Sequence, residues 1–404
     1  MKVAFVDNLP VGGGLSRFSY LLCKHLVELK EDIHIDYYVH FENLQRTPEL
    51  KTMHARVRII MLQSTVPPSL YKRMVKRVTD KIEKQHLRNN RVKQEIESRV
   101  KNYDIAYFPS AHMMEKPDLD VPLVGTIHDF NWKYFFGRQI FSLPFLEMMD
   151  KEILRWMESP YTICSSQDVV DEARKLYPNA RHYPNVVHIG PVVMNTDISS
   201  ERSNEILKGL GIDYPYIIFP GNFYPHKNHL NLFTAFYLLK KRKGFENYKL
   251  ILTGFNSEHV PKGIAEYRGV QLLTANSPQT EYNIRGMGYQ SNEVLDLLIK
   301  NASLLVSPSI YEAICTPAMD AWNFGVPTAI SDIPPFREHE RIWGIRSAFF
   351  DPMNPLDIAD TIERYLNNPE QAKADGLISQ QRMNAYHWGL VAKGYMDIFQ
   401  KAIA

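Results

Sequence analysis

The sequence predicts an α/β protein built from two doubly wound units. Two observations predict it. A strand–loop–helix opening occurs at residue 3 and recurs near residue 216, and 404 residues exceed what one ordinary core accommodates. The first opening is the apolar run Val3–Val6, a loop ending in Gly12-Gly13-Gly14, and then Leu15, Phe18, Leu22, Leu26 and Leu29 at helical spacing. The second is Tyr216–Phe219, then Pro220-Gly221-Asn222, with Pro225-His226-Lys227-Asn228 ahead of a helix Leu230–Lys240. The polar run Asn195–Asn204 is the expected linker, giving domains 1–200 and 201–385, with 386–404 as a C-terminal helix.

Between these openings the elements follow in order. Ile33–Val39 and Val57–Leu62 read as strands. Tyr71–Lys101 is a basic insertion with one apolar seam at Val75, Val78 and Ile82 and another at Val92, Ile96 and Val100. A solvated helix hairpin accounts for it, and so does a surface for anionic lipid or a lipid-diphosphate acceptor. Asp104–Pro109 and Val121–Ile127 are buried strands, and His128-Asp129 stands at the end of the second. Asn131–Pro144 is aromatic and irregular. In the second half Lys249–Gly254 and Asn283–Gly288 read as strands, and Asn292–Lys300 as a helix.

Bulk properties remove several classes. Net charge is +2, so no global field calls for nucleic acid. Cys23, Cys164 and Cys315 are far apart without metal spacing, which fits a reducing compartment and no metal site. No signal peptide is read before Val3, and no apolar run reaches the roughly 18 residues of a membrane span. The expected location is cytoplasmic, with peripheral attachment to the inner face of a membrane if the basic segment meets lipid.

Chemistry concentrates in Ser309–Asp332. It follows the buried strand Ala302–Val306 and places Glu312 at the strand exit. Pro317 suits the first turn of a helix, Ala318–Phe324 continues it, and Gly325 and Pro327 close it. A helix N-terminus favours an anion, most often a phosphate. Glu312 and Asp320 then offer one carboxylate on each side for hydroxyl groups.

The string SIYEAICTPAMDAWNFGVPTAISD resembles the donor-sugar motif of retaining GT-B glycosyltransferases of family 4, the glycosyl transferases group 1. Asp320 stands where that family has Glu, Ala313 where it has Gly, and Asn222 where it has Arg. The resemblance is dense from about residue 215 to 400 and thinner before it. It implies two Rossmann-like domains facing a cleft, with acceptor on the first and nucleotide-sugar on the second. It implies transfer of a sugar from a nucleoside-diphosphate sugar to a saccharide or lipid-linked acceptor, with retention and without a metal or other cofactor. It assigns catalysis to Glu312, His128 and Lys227, with Asp129 beside them. Donor contacts fall to Gly13, Gly14, Asn222, Lys227, Arg285, Gly286, Ala313, Ile314, Cys315, Thr316 and Asp320. Arg285 or Arg17 would supply the cation missing at Asn222. The TIHD and GNFYPHKN strings are similar to those of bacterial mannosyl- and rhamnosyltransferases of polysaccharide assembly, hence a leaning to GDP-mannose or another hexose donor. Rival readings are a GT-B sugar epimerase or a non-catalytic sugar-nucleotide or lipid-binding protein. Release of nucleoside diphosphate separates them.

Overall fold

The computed structural model describes residues 1–9, 14–66, 91–134, 143–194, 199–262 and 283–404. The chain divides into Met1–Ile189 with Trp388–Ala404, and Gly190–His387. The first division precedes the polar run expected as the linker, of which 195–198 lie outside the described residues. The reason is local. Val192 N–H donates to Asp320 Oδ1 at 2.8 Å and Met194 N–H to Asp296 Oδ2 at 3.0 Å, so this stretch is bonded into the second unit.

The first unit holds a seven-stranded parallel sheet. Its strands are β1 (Lys2–Asp7), β2 (His34–Val39), β3 (Val57–Met61), β4 (Ile105–Phe108), β5 (Leu123–Thr126), β6 (Thr162–Cys164) and β7 (Asn185–Val186). Their order is β3-β2-β1-β4-β5-β6-β7. Strands buried on both faces must be almost wholly apolar, and β1 and β4 are buried from Val3 to Asp7 and throughout. The helix Gly14–Leu29 follows β1 and buries Phe18, Leu22 and Leu26. The C-terminal helix Trp388–Ile403 belongs to this unit, where Trp388 and Tyr395 pack on Phe18. Residues 91–99 are helical and bury Val92 and Ile96, with Val100 beyond, so this seam is core. Two of its cations have partners: Arg99 pairs with Glu95 at 2.7 Å, and Lys93 lies 3.5 Å from Asp118. The remainder of the basic insertion, 71–90, lies outside the described residues.

Asn131–Pro144 departs from the irregular loop expected of it. Asn131–Tyr134 is a helical turn, and Leu143–Trp156 is a helix with Pro144 in its first turn. There a missing N–H breaks no bond, so the proline starts the helix instead of excluding it. Residues 135–142 lie outside the described residues.

The second unit holds a six-stranded sheet of β8 (Tyr216–Pro220), β9 (Lys249–Thr253), β10 (Ile284–Gly286), β11 (Leu304–Ser307), β12 (Thr328–Ser331) and β13 (Ala348–Phe350). It is parallel in the order β10-β9-β8-β11-β12-β13, the dinucleotide-fold order. The helix His229–Lys240 turns Leu232, Phe233, Phe236 and Leu239 inward onto Ile217, Phe219, Leu250 and Leu252. Burying each such side chain contributes about 1.5–3 kcal/mol, and Phe236→Ala would cost about 3–5 kcal/mol. Strand order reverses between β8 and β11, which pair with Leu304 beside Ile217. The loops leaving those two strands are therefore where a ligand of this sheet belongs.

Candidate functional site

Lys227 and Glu312 lie on the two loops that leave β8 and β11. Lys227 Nζ lies 2.6 Å from Glu312 Oε1, and both side chains are largely buried. Backbone ties hold the loops together independently of this pair. Ile310 N–H donates to the His226 carbonyl at 2.9 Å. Asn228 Nδ2 donates to the carbonyls of Pro308 and Pro352 at 2.9 and 2.7 Å. Asn228 adopts a left-handed backbone (φ 58°), a conformation that asparagine tolerates better than most residues, and it starts the helix His229–Lys240. The Pro-His-Lys-Asn string thus places Lys227 through the residue that follows it.

Two buried imidazoles flank Lys227. Burial, then the Lys227 charge and His229, holds His226 well below the usual histidine range. Burial and the Lys227 charge bring His229 down to about 3. Both rings are neutral near pH 7, which leaves the positive charge on Lys227.

The helix Thr316–Phe324 begins four residues after Glu312 and matches the expected span closely. Gly325 ends it in a left-handed conformation (φ 72°) that glycine adopts without strain. Cys315 occupies its N-cap without a side-chain cap hydrogen bond. The Cys315 thiol is buried and pushed up to about 12, by burial first and by the Glu312 charge second. It is therefore an inert neutral filler, 3.6 Å from Ser307 Oγ. Ala313 is buried beside it, and Ile314 and Thr316 are half-buried.

The other expected donor residues divide. Asn222 Oδ1 accepts the Phe255 N–H at 3.0 Å, which fixes the turn after β8. Asp320 lies one turn inside its helix, buried, with the Val192 N–H on one oxygen. Gly286 is needed for packing, since a Cβ there would sit 1.8 Å from the Ser257 carbonyl oxygen. Arg285 donates to the hydroxyl of Tyr214, a residue just before β8, at 3.1 Å. Gly13 lies outside the described residues, Gly14 opens its helix, and Arg17 is buried in that helix. Among the described residues no cluster of three or more His, Cys, Asp or Glu has a metal-holding arrangement.

In the first unit, His128 leaves β5. Its Nε2 lies 2.7 Å from the Pro109 carbonyl oxygen, which requires the proton on that nitrogen. Burial, then His112, lowers its pKa to about 3. The ring is a neutral imidazole whose Nδ1 is an acceptor. Phe18 packs edge-on at 5.2 Å and His112 at 5.5 Å, so the ring is clamped. Asp129 has a local task, accepting the Asn131 N–H at 3.1 Å as the next turn begins. His112, Trp132, His226 and Asn228 were not singled out from the sequence. The PHKN string carried a signal for the last two, while His112 and Trp132 gave none.

Residues 203–382, all within the second unit, match the family described as glycosyl transferases group 1. An uncharacterized glycosyltransferase of Methanocaldococcus jannaschii is 22% identical over 263 residues, covering 62% of this chain. The chain spans 63% of that relative's length. Sucrose-phosphate synthase of Thermosynechococcus elongatus superposes with a TM-score of 0.69 at 15% identity, covering 99% of this chain and 98% of its own. HepE of Anabaena, solved with UDP-glucose, gives 0.69 at 14% identity over 99% and 100% of the two chains. WaaG, a glycosyltransferase of lipopolysaccharide biosynthesis, gives 0.66 at 12% over 98% and 99%. The fold is that of GT-B glycosyltransferases, with two Rossmann-like domains. The glycosyl transferases group 1 match thus falls within one unit of a fold of the GT-B type.

Proposed function

We propose that the chain transfers a hexose from a nucleoside-diphosphate sugar to a saccharide or lipid-linked acceptor, with retention at the anomeric carbon, as a family 4 enzyme of glycan assembly. The observation that carries this reading is the Lys227–Glu312 pair at the switch point of β8 and β11, with Glu312 four residues ahead of the N-terminus of Thr316–Phe324. Departure of the sugar leaves negative charge on the diphosphate, and stabilising that charge is the main catalytic demand. Lys227 supplies a compact cation and the helix start supplies amide donors. Glu312 accepts hydrogen bonds from sugar hydroxyls.

The UDP-glucose bound to HepE supports a sugar-nucleotide donor in general. The sugar is read as mannose or rhamnose from the TIHD and GNFYPHKN strings. Thermal-shift titration with UDP-glucose, GDP-mannose and dTDP-rhamnose, followed by assay of released nucleoside diphosphate, tests the reading. One donor should stabilise the protein and be turned over. Stabilisation without release would favour a binding protein. The anomeric configuration of the product, read by NMR, tests retention.

A further inference from the structure

We infer that Glu312 competes with the donor diphosphate for Lys227, so that this carboxylate lowers the affinity of its own site for the nucleotide. The inference rests on the donor reading above and adds an opposition between its two central residues. The 2.6 Å Lys227–Glu312 contact takes one of the three N–H donors of the ammonium and sets a full negative charge against it, so a phosphate meets a cation already paired with an anion. Both groups are largely withdrawn from water, so the contact is worth more than an exposed ion pair. The buried histidines on either side bring no negative charge to Lys227, so they do not take the place of Glu312 as its counter-ion.

The exchange needs only side-chain motion. The loops carrying the two residues are fixed by the Ile310–His226 backbone bond and by Asn228 on Pro308 and Pro352. Breaking the ion pair therefore leaves the cradle in place. A diphosphate takes Lys227, and Glu312 is freed to accept hydroxyl protons from the sugar attached to that diphosphate. One displacement thereby turns the carboxylate from a partner of the cation into a ligand of the sugar. A nucleoside diphosphate without sugar forfeits the second half of the exchange and meets only the competition.

Calorimetric titration of UDP, GDP, dTDP and inorganic pyrophosphate into the wild type, Glu312→Gln, Lys227→Ala and the double variant tests this. Glu312→Gln should bind the preferred diphosphate about three- to tenfold tighter, between the worth of an exposed and of a desolvated ion pair. In the Lys227→Ala background the same change should have less than about a twofold effect, because the two sites act as one unit. Unchanged or weaker binding in Glu312→Gln, beside measurable wild-type affinity, overturns the competition. Tightening that persists without Lys227 also overturns it, since plain repulsion between Glu312 and the diphosphate would then suffice. Glu312→Met serves as a second variant should the glutamine fold poorly. If the wild type binds none of the four ligands, the donor reading itself fails and this inference goes with it.

Discussion

The carboxylate of Asp320 accepts the amide proton of Val192 at 2.8 Å, and both residues are buried. The helix that carries the candidate phosphate-binding end is thus bonded to the stretch where the second unit begins. Asp296 repeats the arrangement with Met194 at 3.0 Å. Two buried acids therefore anchor one short backbone segment, and that anchoring uses one oxygen of the acid assigned by resemblance to the donor.

Asp320→Ala should lower stability by about 1–3 kcal/mol, the cost of leaving a buried amide without its acceptor. Asp320→Asn keeps an oxygen in place and should lose less. Urea unfolding midpoints for both variants check this, and an alanine variant as stable as the wild type would contradict it. If the second carboxylate oxygen also serves the ribose, Asp320→Asn will weaken nucleoside diphosphate binding with little change in turnover.

Lys227→Ala should weaken nucleoside diphosphate binding by about 1.5–3 kcal/mol, the range of a charge-assisted hydrogen bond. Glu312 is then left in its pocket without that cation, so some stability is lost as well. Affinity should be read by calorimetry on protein shown to be folded by circular dichroism. Undiminished affinity in folded Lys227→Ala would mean that the phosphates lie elsewhere.

Stability should fall on mild acidification. His112 is lowered to about 4 and His128 and His229 to about 3, each by burial first. Their folded values lie below the unfolded value near 6.5, so the unfolded chain binds protons first as pH drops. The stabilising contribution is complete above about pH 6.5 and is lost toward pH 4 to 3, at up to about 1.4 kcal/mol per pH unit for each ring. Asp7 opposes this in part. Burial raises it to about 7 despite hydrogen bonds from Tyr37 and Asn43, so its contribution is present below about pH 4 and lost as pH rises through 7. Three histidines outweigh one aspartate, and urea midpoints should climb between pH 4 and 6.5. A flat profile would show that these rings are hydrated.

What was legible in the sequence was what local pattern encodes. The span of the helix after Glu312 and the start of the helix after Lys227 follow from Pro317, Gly325 and Asn228, residues whose backbone preferences act over a few positions. Contacts distant in sequence were not legible. The Asp320–Val192 bond joins residues 128 apart, and no periodicity announces it. It also moved the unit boundary ahead of the polar run, because polarity marks exposure and not the end of bonding. The partner of Arg285 was not legible for a related reason. Its strand was recognised, but the direction taken by a long side chain depends on which neighbours the sheet brings, here Tyr214. His112 and Trp132 meet only through the packing of separate loops, at 6.0 Å between ring centres.

Glu312→Gln should reduce kcat by about 10²-fold, the scale of losing one group aimed at the reacting centre. The argument runs through the geometry of the loop after β11. Glu312 lies four residues before the helix start, in a loop tied to β8's own loop by the Ile310 N–H. A glutamine there keeps the shape but loses the charge and offers one acceptor oxygen where the carboxylate offered two. Hydroxyl protons of the sugar are then held less firmly as positive charge develops on the ring. The effect should appear in kcat with the intact donor and not as weaker binding of the sugar-free nucleoside diphosphate. Steady-state kinetics with the donor found by thermal shift, set beside calorimetry with its nucleoside diphosphate, would show it. Equal small changes in both quantities would mean that Glu312 serves only to hold Lys227 and that the sugar is read by other groups.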